Sequence, residues 1–352
     1  MTDYNPEDDL FYVEKFEWML KTNEIYFFEE VDFIGIIIHY LDEGKDNLVN
    51  QAIKLGLIQH PNSFELKLLK AEQLNDEDNT DVAIFLLEEL FKIEPKDYRL
   101  FLLRAEIFSK KFQHKKAIQM LREALKYTHD ENEIHYLIGM QLMYQEEYKE
   151  AEKYFINALE IDINDYRALN NLMFCYETQK KYANAQIFLL EYIEQNPYSE
   201  LAWFHLGKQY YAQKNYREAI KAFDYALLIE DDFVGAFIEK GKALEKLKKY
   251  DEAIENYTTT LNLEDPTAFI YFKIGKCYER INLVENAVIF HKKAIHEDPQ
   301  FEKSWLALMK LFIQKKQYQE ALLIVENAIE IDEYNLKFLK NKTKILQYLS
   351  SK

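Results

Sequence analysis

The sequence predicts an all-α solenoid of paired helices, and three observations carry that prediction. Apolar residues make up 48% and aromatics 15% of the 352 residues, with only 8 Gly and 6 Pro, a composition that suits long helices and leaves little for strands or tight turns. A pattern of large and small apolar residues recurs with a period of 34. Prolines mark one fixed place in that period, at Pro61, Pro95, Pro197 and Pro299, where each stops a helix and sets the next turn.

In chain order, residues 1–29 form an acidic leader. Leu10, Phe11, Val13, Phe16, Met19 and Leu20 have helical spacing there, which predicts an amphipathic helix shielding the first repeat. Residues 30–335 then divide into nine repeats: 30–63, 64–97, 98–131, 132–165, 166–199, 200–233, 234–267, 268–301 and 302–335. The pattern is thin at first (Phe33, Tyr40, Ile53, Gly56; Ala71, Ala83; Phe101, Ala105, Phe108, Ala117, Ala124) and strong from residue 132 onward. The clearest stretch has Trp203, Leu206, Gly207, Tyr210, Tyr216, Ala219, Phe223 and Ala226, and steps of 34 give Gly241, Tyr250, Ala253 and Tyr257, then Gly275, Tyr278, Ala287 and Ala294. Helix A is expected at positions 1 to 14 of each repeat and helix B at 18 to 31, with small residues at 8 and 20 letting the two approach closely. Residues 336–352 begin one more A helix, with Leu339 at position 4 and Leu346 at position 11 expected inward, and Lys337, Lys340, Lys342 and Lys344 expected outside as a basic solvating cap.

These residues resemble the tetratricopeptide pattern of a bulky residue at position 4, small at 8, aromatic at 11, 17 and 24, Ala at 20 and 27 and Pro at 32. The resemblance covers the nine repeats and implies a right-handed superhelical solenoid with a leader helix and a capping helix. It also implies a non-enzymatic scaffold or adaptor whose A helices line a concave, peptide-binding groove, with positions 2, 5, 6, 9, 12 and 13 facing it.

Charge and motif content narrow the function classes. A net charge of -17 disfavours nucleic acid as a partner. No apolar run approaches the ~20 residues of a membrane span, and the acidic start does not resemble a secretory signal, so a cytoplasmic location without membrane insertion is expected. Cys175 and Cys277 both fall at position 10 and read as core residues. The eight histidines form no i, i+4 pair, and no phosphate loop or nucleophile motif is present, so no catalytic residue, cofactor or metal is expected.

On the groove positions that the resemblance implies, repeats 1 to 4 carry an apolar stripe: Val31, Ile34, Ile38, Leu68, Leu69, Leu102, Leu103, Tyr136, Leu137, Met140, Met143 and Tyr144. An exposed stripe of this kind is expected to be covered by a partner, and methionine beside tyrosine suits an adaptable surface. Arg167, Asn170, Asn171 and Phe174 follow, Asn171 resembling the asparagine by which related arrays hold a peptide backbone. Repeats 6 to 9 place Lys208, Lys242, Lys276 and Lys310 at position 9, with Lys246, Lys273, Arg280 and Lys303 on nearby groove positions, which predicts attraction for an acidic segment of a partner. A chaperone-type carboxylate clamp is disfavoured, because position 5 is never Lys. The alternative expectation is self-assembly, the acidic leader of one molecule meeting the basic cap or lysine groove of another in a homo-oligomer.

Overall fold

The computed structural model of the protein describes residues 6–22 and 24–350; the first five residues of the expected leader and the last two of the expected cap lie outside them. Among the described residues there are twenty helices and no strand. The chain falls into two compact units, Met1–Cys175 and Tyr176–Lys352.

In the first unit, helix α1 (Pro6–Thr22) leads into α2 (Glu30–Asp42) and α3 (Asp46–Gln59), α4 (Phe64–Asp76) and α5 (Thr80–Ile93), α6 (Tyr98–Lys110) and α7 (His114–Ala124), and α8 (Glu131–Tyr144) and α9 (Tyr148–Ile161). Helix α10 (Tyr166–Thr178) carries the boundary between the units. The second unit continues with α11 (Tyr182–Gln195), α12 (Glu200–Ala212), α13 (Tyr216–Ile229), α14 (Val234–Lys246), α15 (Tyr250–Leu263), α16 (Ala268–Arg280), α17 (Val284–Glu297), α18 (Glu302–Gln314), α19 (Tyr318–Ile331) and α20 (Leu336–Ser350). Within each unit, A helices pack on the B helix that follows and B helices on the next A helix.

The turn between the two helices of a pair has one form throughout. Gly44, Asp78, Phe112, Glu146, Lys180, Lys214, Lys248, Asn282 and Lys316 all have φ between 55° and 65°, each thirty-four residues after the last. A left-handed residue here closes the A helix and lets the chain reverse within three residues, and only Gly44 adopts it without steric penalty. Several A helices are opened by side-chain caps: Ser63 accepts from the Leu66 N–H, Ser199 from Ala202 and Thr267 from Ile270.

The core follows the small-residue logic. Position 20 holds a fully buried alanine from Ala83 onward, position 27 does so at Ala124, Ala158, Ala226, Ala294 and Ala328, and position 8 faces position 24 across the pair. Where position 8 is Gly139, Gly207, Gly241 or Gly275, position 24 is the ring of Phe155, Phe223, Tyr257 or His291. Where position 8 is Ala71 or Ala105, position 24 is Leu87 or Leu121; where it is Met173 or Met309, position 24 is Leu189 or Val325. A glycine or alanine at position 8 thus faces a ring or a leucine that fills the space it leaves, as close packing requires, whereas Met173 and Met309 face an aliphatic side chain.

The two ends differ from the interior. Phe16 of α1 is fully buried against Phe28, Phe33 and Tyr40, so α1 covers the face of α2 that a preceding B helix would cover. The segment between them is pinned by Gln59, which accepts from the Phe28 N–H and donates to the Tyr26 carbonyl. At the other end α20 packs through Phe338 and Ile345, both buried, while Leu339 and Leu346 are 40% and 45% exposed. The inward residues expected at 339 and 346 are therefore corrected to 338 and 345. Positions 4 and 11 pack on the B helix of their own pair, and α20 has none; positions 3 and 10 pack on the preceding B helix, which here is α19.

Candidate functional site

The A helices of the first unit form a cleft of about 590 Å³, which Leu102, Leu103 and Leu137 line with apolar surface and Glu72, Asp76 and Glu106 with carboxylates. Of the apolar stripe expected here, Leu68 and Leu103 are buried at 2% and 4% and belong to the core, Leu103 also reaching the cleft. Ile34, Leu69, Leu102, Tyr136, Leu137, Met140 and Met143 are half-buried, and Val31, Ile38 and Tyr144 are exposed.

Four of the nominated residues meet beside this cleft. The Arg167 guanidinium lies 4.4 Å from the centre of the Tyr136 ring, and the Asn171 amide donates to the Met140 sulfur at 3.3 Å and to the Tyr136 hydroxyl at 3.4 Å. Arg167 is held from behind by Glu133 at 2.6 Å and Asp165 at 3.1 Å. The same device occurs two pairs earlier, where Arg99 binds Glu65 through two hydrogen bonds of 2.6 and 2.8 Å and Asp97 at 2.6 Å. Burial works to raise the Asp97 and Asp165 pKa values, but the arginine hydrogen bonds outweigh it and hold both carboxyls below the usual range. Asn170 and Phe174 are exposed on the same helix, and the Tyr144 ring lies 5.3 Å from that of His114.

A polar brace spans the cleft. Gln141 accepts from His114 at 2.8 Å and donates to the Ser109 hydroxyl at 2.9 Å, tying α8 to the end of α6. On the far wall, Asn75 donates to Glu106 at 2.7 Å, and Lys110 donates to the Asn75 carbonyl at 2.9 Å.

In the second unit the lysine row is interleaved with glutamates. Lys208 pairs with Glu177 at 2.8 Å, Lys242 with Glu239 at 2.7 Å, Lys273 with Glu245 at 2.6 Å and Lys276 with Glu279 at 2.7 Å. Two of these carboxylates also reach the core: Glu245 accepts from the Tyr257 hydroxyl at 2.5 Å and Glu279 from His291 at 2.9 Å. Burial pushes the Tyr257 hydroxyl well above its usual range, Glu245 adding to the shift. Burial also favours raising Glu279, yet His291 and Lys276 together hold it below the ordinary carboxylate value. Lys246, Arg280, Lys303 and Lys310 are exposed and form no ion pair among the described residues.

Sequence reasoning passed over these acids. Position 9 reads Glu72 and Glu106 in the second and third repeats before it reads Lys in the last four, and Glu177, Glu245 and Glu279 share position 12. The signal was visible in the same columns that displayed the lysines.

Cys175 and Cys277 are buried, and burial with Glu245 nearby pushes the Cys277 pKa up to about 12. Burial and the nearby Lys208 push His205 down to about 3, so it stays neutral in the core. Among the described residues no cluster of three or more His, Cys, Asp or Glu could hold a metal ion, and no helix is long and apolar enough to cross a membrane.

The family model described as anaphase-promoting complex, cyclosome, subunit 3 matches residues 76–158 and 168–260, half of the chain. A search of the curated proteins finds no match. Among solved structures, an IFIT1 monomeric mutant with m7Gppp-AAAA aligns at 18% identity over 97% of this chain and 86% of its own, with a TM-score of 0.50. MamA aligns at 23% identity over 47% of this chain and 97% of its own, TM-score 0.42. YrrB, described as a TPR protein with an unusual peptide-binding site, aligns at 20% identity over 54% and 97%, TM-score 0.45. At such identities the likeness is one of fold.

Proposed function

The chain belongs to the tetratricopeptide-type family described as anaphase-promoting complex, cyclosome, subunit 3, and on that premise we propose that it is a non-enzymatic scaffold holding a peptide segment of a partner protein on its A-helix face. The observation that carries this reading is the cluster of Tyr136, Met140, Arg167 and Asn171 beside a cleft walled by Leu102 and Leu137. Such a surface offers an amphipathic segment apolar area together with fixed hydrogen-bonding groups. The division of 30–335 into nine repeats between a leader and a basic closing helix is part of the same proposal, as is a cytoplasmic setting.

A photoreactive residue in place of Met143, on this face, tests it against one in place of Lys149, exposed on a B helix. The Met143 position crosslinks to a defined partner segment and the Lys149 position does not; equal labelling from both sinks the proposal.

The finer part is that an acidic stretch of the partner meets the basic face of the second unit. Lys208, Lys242, Lys273 and Lys276 are already paired, so the attraction rests on Lys246, Arg280, Lys303 and Lys310. Reversing Arg280 and Lys310 to Glu removes salt-sensitive partner binding on this reading, and unchanged binding rules that face out.

A second reading, self-assembly, draws on the exposed Leu339 and Leu346 of the lysine-bearing α20 and the exposed Phe11 and Trp18 of α1. Light scattering at low and high salt, with and without residues 1–29, decides it; a monomer in every condition eliminates it.

A further inference from the structure

The second unit sorts its charges onto two opposite edges. Its helices pair antiparallel, so the five turns that follow an A helix lie on one edge and the five that follow a B helix on the other. With one flanking helical residue on each side, the A-to-B turns are 178–182, 212–216, 246–250, 280–284 and 314–318, and they contain nine lysines and arginines and no carboxylate. The B-to-A turns, 195–199, 229–233, 263–267, 297–301 and 331–335, contain nine carboxylates and no lysine or arginine. Neither content follows from the fold. Each turn brings one helix C-terminus beside one N-terminus, so the dipoles cancel and favour neither sign. In the first unit the A-to-B turns, 42–46, 76–80, 110–114 and 144–148, have the same left-handed residue yet hold eight carboxylates against three lysines. Lys180, Lys214, Lys248 and Lys316 occupy the left-handed position itself, at φ 58° to 65°, where glycine or asparagine sits with less strain, as Gly44 and Asn282 do. All four are exposed, and none enters an ion pair among the described residues. Nothing within the chain uses their charge.

We propose that this basic edge rests on the surface of an anionic lipid bilayer, the lysines meeting the charged headgroups while the helices stay outside the hydrocarbon. Distance makes this compatible with a net charge of -17. An A helix of 13 residues holds the acidic edge about 20 Å away, more than two screening lengths of about 8 Å at physiological salt, so a flat surface meets the cations alone. The cations are spread along five turns, which suits an extended surface better than a small ligand. Leu283, 47% exposed among them, offers an apolar side chain at headgroup depth. Nucleic acid is disfavoured, since eight of the nine cations are lysines and rings of this edge are engaged, Tyr216 on Tyr211 and Tyr318 on Tyr348. The proposal makes no use of the A-helix face, which the Met143 crosslink tests separately.

The test is co-sedimentation of the full-length protein with vesicles of phosphatidylcholine alone or with about one-third phosphatidylserine. The protein sediments with the anionic vesicles and not with the neutral ones, and binding falls as salt rises. A variant combining Lys180→Asn, Lys214→Asn, Lys248→Asn and Lys316→Asn binds the anionic vesicles more weakly, by roughly fivefold for each cation removed. Asparagine adopts the left-handed turn more readily than lysine, so this variant melts no lower than the wild type. A control combining Lys149→Gln, Lys153→Gln, Lys221→Gln and Lys292→Gln, all exposed on B helices, makes the same change in net charge and leaves binding as it was. The proposal is overturned if the anionic vesicles bind no better than the neutral ones, if the turn variant binds like the wild type, or if the control weakens binding as much. It is equally overturned if polyuridylate or polyglutamate binds more tightly than the vesicles and loses that binding in the turn variant, which would give the edge to a nucleic acid or an acidic protein.

Discussion

Gly241 and Tyr257 share a single packing volume: a Cβ placed on Gly241 would lie 2.6 Å from Tyr257 Cε1, inside contact distance of a fully buried ring. The glycine is there for space, since its backbone is ordinary α-helix. The ring in turn reaches Glu245 with its hydroxyl, and Lys273 of the next pair closes on the same carboxylate oxygen. One close approach therefore organises an interhelical polar network.

Gly241→Ala should accordingly destabilise the protein by about 1–3 kcal/mol through overpacking. Adding Tyr257→Leu should recover part of that loss, because the pair then reproduces Ala71 with Leu87 and Ala105 with Leu121. Chemical denaturation of both single variants and the double variant measures the coupling. Strict additivity would show that the two residues do not compete for the same space.

Glu279→Ala should cost about 3 kcal/mol, because it strips a buried histidine and a half-buried lysine of their common acceptor. Glu150→Ala, which breaks the exposed pair with Lys153, should cost less than about 1 kcal/mol. Equal losses in denaturant unfolding would contradict the burial argument.

Stability should also report on Glu72. Its pKa rises from 4.5 to about 7 on folding, so the native state binds more protons between those values, and stability falls as pH rises through that window. The fall should be shallower in Glu72→Gln, in thermal melts taken across the window. A slope unchanged by the substitution would place the titration elsewhere.

Phe112 holds a left-handed conformation at φ 55° with its side chain 84% exposed. Phe112→Gly removes a steric penalty of about 1–2 kcal/mol against a backbone entropy loss of about 0.5–1 kcal/mol, a net gain of roughly 0.5–1 kcal/mol. A higher denaturation midpoint with an unchanged slope is the expected result, and a lower midpoint would mean that the ring contributes packing that outweighs its strain.

The all-helical fold was legible because each unit carries its own instructions: glycine or alanine where helices touch, rings where they leave room, and proline where a B helix stops. Helix bounds moved one residue toward the N-terminus of each repeat, A helices such as α6 ending at position 13 and B helices such as α13 running from position 17 to 30, because the left-handed residue at position 15 claims the turn. That residue is glycine only at Gly44, so its conformation left no mark in the composition.

The candidate site was legible in part. Tyr136, Met140, Arg167 and Asn171 were named from their columns and do come together. The lysine columns were legible too, but the glutamates that pair with them, on the same helix (Glu239, Glu279) or the preceding A helix (Glu177, Glu245), were not read with them, nor were Glu72, Asp76 and Glu106 beside the apolar stripe.

The sequence by itself determined the helices, their pairing and the faces they bury, because those follow from contacts within a repeat and between a repeat and its neighbour, and the period writes both. Only the tertiary structure decided which charges remain to act. Whether Lys208 or Lys273 is available or neutralised depends on a carboxylate of the preceding A helix, and whether a glutamate is solvated or stranded depends on how far the surrounding walls exclude water. Lys208 and Lys310 occupy the same column, yet the first is bound to Glu177 of the preceding A helix and the second stands exposed.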